Sequence, residues 1–106
     1  MKSTKQLLGG RIKELRRGMD LSQDQLSEKI GVDPKHLSRI ELGKSFPYME
    51  TLEAIAEALK VDLKDLFDFS HLEVQPVDKK EIEALLTDVN PDKLLLIYKV
   101  VKSIVK

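Results

Sequence analysis

The chain has 106 residues, of which 42% are hydrophobic and 34% charged. That fits one compact domain with a small appendage and excludes a large enzyme fold. Eighteen Lys and Arg side chains balance eighteen Asp and Glu, so total charge names no partner, but the charges are segregated. Residues 1–48 carry ten basic and six acidic groups, residues 49–90 four and eleven, and residues 91–106 four and one. A basic front, an acidic waist and a basic tail imply separate roles. There is no cysteine, so no disulfide forms. The two histidines, His36 and His71, lie far apart, and neither a metal site nor a cofactor is expected. The opening stretch MKSTKQLLGGRIKEL lacks the apolar run of a secretory signal and no segment approaches a membrane span, so a cytoplasmic protein is expected.

A helix-start pattern recurs five times: an apolar residue, a capping residue, and a second apolar residue five positions after the first. The instances are Leu21–Ser22–Leu26, Val32–Asp33–Leu37, Val61–Asp62–Leu66, Val77–Asp78–Ile82 and Val89–Asn90–Leu94. Each is a hydrophobic staple around an N-cap. Ser22 with Gln25 and Asp78 with Glu81 add the capping-box spacing, and Pro34 and Pro91 occupy first helical positions, where a missing N–H costs little. Gly18, Gly31 and Gly43 follow apolar-periodic runs and are expected to end helices in the left-handed conformation. Together these signals predict helices over 4–18, 23–30, 34–42, 49–59, 63–68, 79–87 and 91–105. No segment alternates with period two, so the fold class is all-α. SHLEVQPV, with a proline and no helical period, divides the chain into a domain over 1–69, a linker over 70–77 and a helical hairpin over 78–106.

The second and third predicted helices are short and are separated only by Gly31, Val32 and Asp33, which is helix-turn-helix spacing. Leu26 and Ile30 on one, with Leu37 and Ile40 on the other, give each an apolar edge to pack on the first and fourth helices. The free edge of the third helix carries Lys35, His36, Ser38 and Arg39, which suits a helix laid in the major groove of double-stranded DNA. Arg39 could reach guanine with two hydrogen bonds, Lys35 a base or a phosphate, and Ser38 either. On charge alone, a merely solvated helix face competes with this reading.

The stretch from Leu21 to Phe67, preceded by GGRIKELRRGMD, resembles the Cro/CI-type, Xre-like helix-turn-helix repressor family over residues 7–68. The features occur in register: SQxxL opening the second helix, the glycine-containing turn, SRIExGK closing the third, P-x-x-x-T-L leading the fourth, and I-A-x-A-L-x-V. The resemblance implies a five-helix lambda-repressor-like DNA-binding domain and a sequence-specific transcriptional regulator. It implies that Gln23, Lys44 and Tyr48 contact phosphates, that Pro34, Lys35, Ser38 and Arg39 face bases, and that Arg16 and Glu41 form a structural ion pair. Two departures stand out. Pro34 replaces a polar base-reading residue, and Tyr48 replaces the Ser or Thr that caps the fourth helix. Competing readings make Gln23 a simple first-turn residue and pair Arg39 with Glu41 or Asp33.

In the last helix, Leu94, Ile97, Tyr98, Val100, Val101, Ile104 and Val105 fall within an arc of roughly 160°, with Leu95 and Leu96 outside it. That is wider than one neighbour covers. These nine residues are expected to pack against the sixth helix and a second subunit, giving a homodimer on an inverted-repeat operator. Folding back onto the first five helices and capture of a different protein partner, as in an antitoxin or anti-repressor module, are the alternatives. A membrane-surface helix is not expected, because the longest apolar run is Leu94 to Tyr98.

Catalytic constellations fail on inspection. Ser103 and Lys106 have S-x-x-K spacing without companion motifs, Asp68, Ser70 and His71 are sequence neighbours in a linker, and Gly9 and Gly10 are not followed by G-K-[ST]. The self-cleaving protease domain that some larger relatives of this family carry has no room in the final 38 residues. A protein that is not an enzyme and has no small-molecule substrate is expected.

Overall fold

Local capping chemistry sets where each helix begins. In the computed structural model, which describes residues 2–69, 71 and 77–105, these starts give α1 Thr4–Gly18, α2 Gln23–Ile30, α3 Pro34–Glu41, α4 Met49–Ala58, α5 Leu63–Leu66, α6 Lys79–Leu85 and α7 Pro91–Val105. No strand occurs among the described residues. Most of the predicted linker, Ser70 and residues 72–76, lies outside them.

Ser22 Oγ accepts from the Gln25 N–H at 3.0 Å while Gln25 Oε1 accepts from the Ser22 N–H at 2.8 Å, a complete capping box. Ser3 and Gln6 form a second box at the start of α1, which the sequence reading overlooked. Asp78 accepts from Glu81 N–H at 3.0 Å without the return bond, and Asn90 Oδ1 caps Lys93 N–H at 2.9 Å. Helices α3 to α6 stop one or two residues before their predicted ends because the last turn tightens. The Gly43 N–H bonds to Ile40 O and the Lys60 N–H to Glu57 O, three residues back in each case. One predicted stop is corrected. α1 runs through Gly18, and the left-handed conformation falls instead on Asp20, at φ 57°.

Leu8 and Ile12 of α1, Leu26 of α2, Leu37 and Ile40 of α3, Leu52, Ile55 and Ala56 of α4, Leu59, and Leu66 of α5 form one buried cluster. Leu21, Val32 and Val61, the outer halves of the first three staples, pack against it. The five helices therefore bury a core of their own.

α7 behaves differently. Its closest packing within the chain is against α5, and Leu96 rests on the core cluster. No residue of α6 or α7 is buried. The expectation that α7 packs against α6 is corrected accordingly, since its main partner among the described elements is α5. Leu96 lies outside the wide apolar arc and faces the chain's own core, where burial is already available. No helix among the described residues is long and apolar enough to cross a membrane.

Candidate nucleic-acid interface

The interface is built from the turn outward. α2 ends at Gly31, whose φ of 74° lies where a Cβ is disfavoured. The Gly31 and Val32 N–H groups both return to Ser27 O, closing the helix. Two residues later Asp33 Oδ1 accepts from the Lys35 N–H at 2.7 Å, and Pro34 supplies the fixed φ of a first helical residue. α3 thus starts at a defined angle to α2.

A close approach sets its distance from α1. A Cβ on Gly9 would collide with the backbone carbonyls of Ile40 and Glu41, so α1 and α3 touch backbone to backbone. Gly9, dismissed above for lack of a phosphate-loop motif, has a packing role.

Next to that contact lies a buried polar network. Arg16 Nε donates to Glu41 Oε2 at 2.7 Å and Arg16 Nη2 to Glu41 Oε1 at 3.0 Å, with both residues 6% exposed. The remaining Arg16 Nη1 donates to Leu21 O at 2.7 Å, and Gln23 Nε2 donates to Glu41 Oε1 at 3.0 Å. The bidentate pair links α1 to α3, and Gln23 adds the start of α2. Planar fork-on-carboxylate geometry fixes orientation as well as distance. Among the described residues no buried side-chain nitrogen or oxygen lacks a partner, so three helix ends are held as one unit.

With Leu37, Ile40 and Glu41 turned inward, helical geometry puts Lys35, Ser38, Arg39 and the following Leu42 within about 100° of arc on the outer side. Lys35, Arg39 and Leu42 are exposed and Ser38 half-buried. His36 lies about 60° beyond Arg39, half-buried on the flank, while Pro34 is exposed at the helix start. Among the described residues neither Lys35, Arg39 nor Lys44 enters an ion pair, so Arg39 is not taken up by Glu41 or Asp33. Lys44 is exposed just past α3, its N–H bonded to Arg39 O. Tyr48 is 77% exposed and precedes α4 without a side-chain cap. Gln23 is half-buried, because one of its amide protons is committed to Glu41. No cluster of potential metal ligands occurs among the described residues.

The nine apolar residues of α7 divide into three sets. Leu94, Tyr98, Val101, Ile104 and Val105 are exposed on one side, with Lys102 Nζ lying 5.7 Å from the Tyr98 ring centre. Ile97 and Val100 are half-buried. Leu96 is on the core, and Leu95 lines a half-open cleft of about 490 Å³ between α7 and the start of α4, floored by Phe46, Pro47 and Met49. Leu42 and this cleft escaped the sequence reading. The first has a legible signal, its place one turn after Ser38 and Arg39, whereas the second joins segments some 45 residues apart in sequence and has none.

Comparison with known proteins agrees with the fold and the turn. The helix-turn-helix domain family matches residues 9–68, and the chain belongs to that family, with the Cro/CI-type motifs quoted above. The HTH-type transcriptional activator BcrR of Enterococcus faecalis is 34% identical over 62 residues, 58% of this chain and 30% of that protein. The immunity repressor protein of Bacillus phage phi105 is 30% identical over 91 residues, 80% of this chain and 63% of the repressor. The match thus spans less than two thirds of either relative. Among solved structures, a chain of the SinR protein/SinI protein complex is 27% identical at a TM-score of 0.59, covering 90% of this chain and 94% of that one.

Proposed function

We propose that this protein is a sequence-specific DNA-binding transcriptional regulator that acts as a homodimer on an inverted-repeat operator. The observation that carries the reading is an outer stripe on α3 bearing exposed Lys35 and Arg39 with half-buried Ser38, its cations in no ion pair among the described residues, and held rigid by the buried Arg16–Glu41–Gln23 network. Rigid presentation matters because base readout depends on hydrogen-bond geometry in the major groove. Arg39 and Lys35 read base edges, Ser38 contacts base or backbone, and Pro34 and His36 border the stripe. Lys44, Tyr48 and Gln23 engage phosphates. Gln23 does so with its second amide proton and with the free N–H groups at the start of α2.

Repression fits better than activation. The similarity to the phage immunity repressor runs over 91 residues, beyond the helix-turn-helix unit, whereas that to the activator covers 62. Subunits pair through the outer stripe of α7, Leu94, Tyr98, Val101, Ile104 and Val105, because apolar side chains at this spacing lose water contact only against a second surface.

A second reading has its own support. A solved structure that covers 90% of this chain comes from a complex of two different proteins, and the same α7 stripe would serve a heterologous partner.

Selection of bound duplexes from a random pool at near-physiological salt tests the proposal. Enrichment of an inverted repeat with half-site centres about 10 base pairs apart, or a multiple of that, is expected. Salt-sensitive, sequence-blind binding would sink it. Light scattering then separates the two readings of α7. A mass of twice 12.1 kDa supports self-pairing, and a monomer favours the heterologous partner.

A further inference from the structure

Leu42 is a large apolar side chain, 56% exposed, directly after α3. It is absent from the hydrophobic residues packed on the core, so the fold does not explain it. Its direction is set by the helix. Its N–H still bonds to Ser38 O at 3.0 Å and its φ and ψ of −83° and −4° are helical. It therefore projects between Ser38 and Arg39 on the outer face, about 4.5 Å further along the axis than Arg39. Immediately afterwards the chain turns away at Gly43, at φ 76°, where a Cβ would strike the backbone of Gln6 in α1. That turn holds the leucine at the rim of the stripe, beside two side chains that seek hydrogen bonds.

The major groove offers one apolar feature, the 5-methyl group of thymine. Every other base edge presents donors or acceptors that an isobutyl group would desolvate without replacing their hydrogen bonds. A leucine brought against the groove therefore discriminates. It gains from a methyl and loses against an amino or keto edge.

We propose that Leu42 is a further specificity-determining residue, which packs on the 5-methyl of a thymine in the base pair next to the one that Arg39 reads. This rests on the DNA-reading role proposed for α3, and it adds an apolar selection to the polar ones.

The test uses the full chain and the duplex selected from the random pool, with each thymine replaced in turn by deoxyuridine, which lacks only the methyl group. Wild type is expected to lose about fourfold in affinity at one position per half-site, the factor that burial of one methyl group corresponds to. Leu42→Ala is expected to bind the thymine and deoxyuridine duplexes equally at that position. Leu42→Met, which keeps the apolar reach, should restore most of the preference. The sensitive pair should lie beside the one whose preference relaxes in Arg39→Ala. Unfolding midpoints in urea should coincide for all three proteins, because the side chain is exposed.

Equal sensitivity to deoxyuridine in wild type and Leu42→Ala at every position would overturn the inference. So would a uniform loss on all sequences in Leu42→Ala, since that marks packing on the sugar–phosphate backbone. In both cases the operator itself still stands. Absence of any selected operator would instead remove the DNA-reading role, and the Leu42 assignment with it.

Discussion

The staples at the starts of α2, α3 and α5 and those at the starts of α6 and α7 follow the same sequence rule, yet they end in different surroundings. Leu26, Leu37 and Leu66 are wholly buried with Leu21, Val32 and Val61 leaning on them. Val77 is 60% exposed and Ile82 49%, and Leu94 is exposed beside a half-buried Val89. A staple fixes how the chain enters a helix but not what the helix then meets. In the first five helices the facing surfaces lie within the chain. In the last two, among the described residues, only Leu96 packs on the core, Ile97 and Val100 are half-buried, and most of the remaining apolar face is exposed. One region buries its apolar faces within the chain, and the other leaves most of its apolar area exposed.

The largest effect should come from breaking the self-stabilised region at its polar centre. Glu41→Ala leaves the Arg16 guanidinium buried without its carboxylate, and a loss of about 3–5 kcal/mol is expected in urea unfolding. Replacing Arg16 and Glu41 together by methionine should cost less than Glu41→Ala alone, which would show that the unpaired charge dominates. If the single change were as mild as a surface substitution, the network would not be what holds α3 in place.

Substitutions on the outer face of α3 are expected to act on the proposed DNA binding instead. Arg39→Ala should cost about 1–3 kcal/mol on the selected operator and relax one base preference, while Lys44→Ala should weaken all duplexes alike and lower the salt slope by about one. Equal losses on every sequence for Arg39→Ala would contradict its base-reading role. Competition binding at two salt concentrations reads both.

The two sides of α7 sharpen the comparison further. Leu96→Ala should lower stability by roughly 1–2 kcal/mol, about what partial burial of a leucine supplies. Val101→Asp, on the exposed side, should leave the unfolding midpoint within about 0.5 kcal/mol while converting a dimer to a monomer by light scattering. If Val101→Asp unfolds the monomer and Leu96→Ala changes nothing, the faces have been assigned the wrong way round.

The smallest effect concerns the end of the first region, where His71 Nε2 lies 3.2 Å from Glu14 and Arg11 Nη1 donates to the same carboxylate at 2.6 Å. Arg11 first, then His71, hold the Glu14 carboxyl below its ordinary value of 4.5. A carboxyl lowered in the folded state stabilises it fully above the unfolded value, and that contribution is lost as pH falls through the folded one. Glu14→Gln should therefore lower stability slightly near neutral pH and flatten the acid limb of the stability curve, converging on wild type at low pH. Because the side chain is exposed, screening by solvent keeps the effect small.

Much of this was legible in the chain. Helix starts depend on residues three or five apart, so Ser22, Asp33, Asp78 and Asn90 could be recognised without knowing the fold, and the spacing of Gly31 and Asp33 implied the turn. Gly18 misled because a glycine permits a left-handed stop without compelling one, and Asp20 took that conformation two residues later. The apolar arc of α7 was also visible, and most of it is exposed in the folded chain.

The sequence by itself thus determined the helices, the turn and the polar composition of the α3 face, since each rests on local geometry with a fixed period. Tertiary structure alone decided which apolar residues of α7 meet the chain's own core and which stay exposed, that Gln23 joins Arg16 on Glu41, and that Leu42 is left exposed. Those outcomes depend on how helices many residues apart cross one another. A hydrophobic period states how wide a face is, and the crossing angles state what covers it.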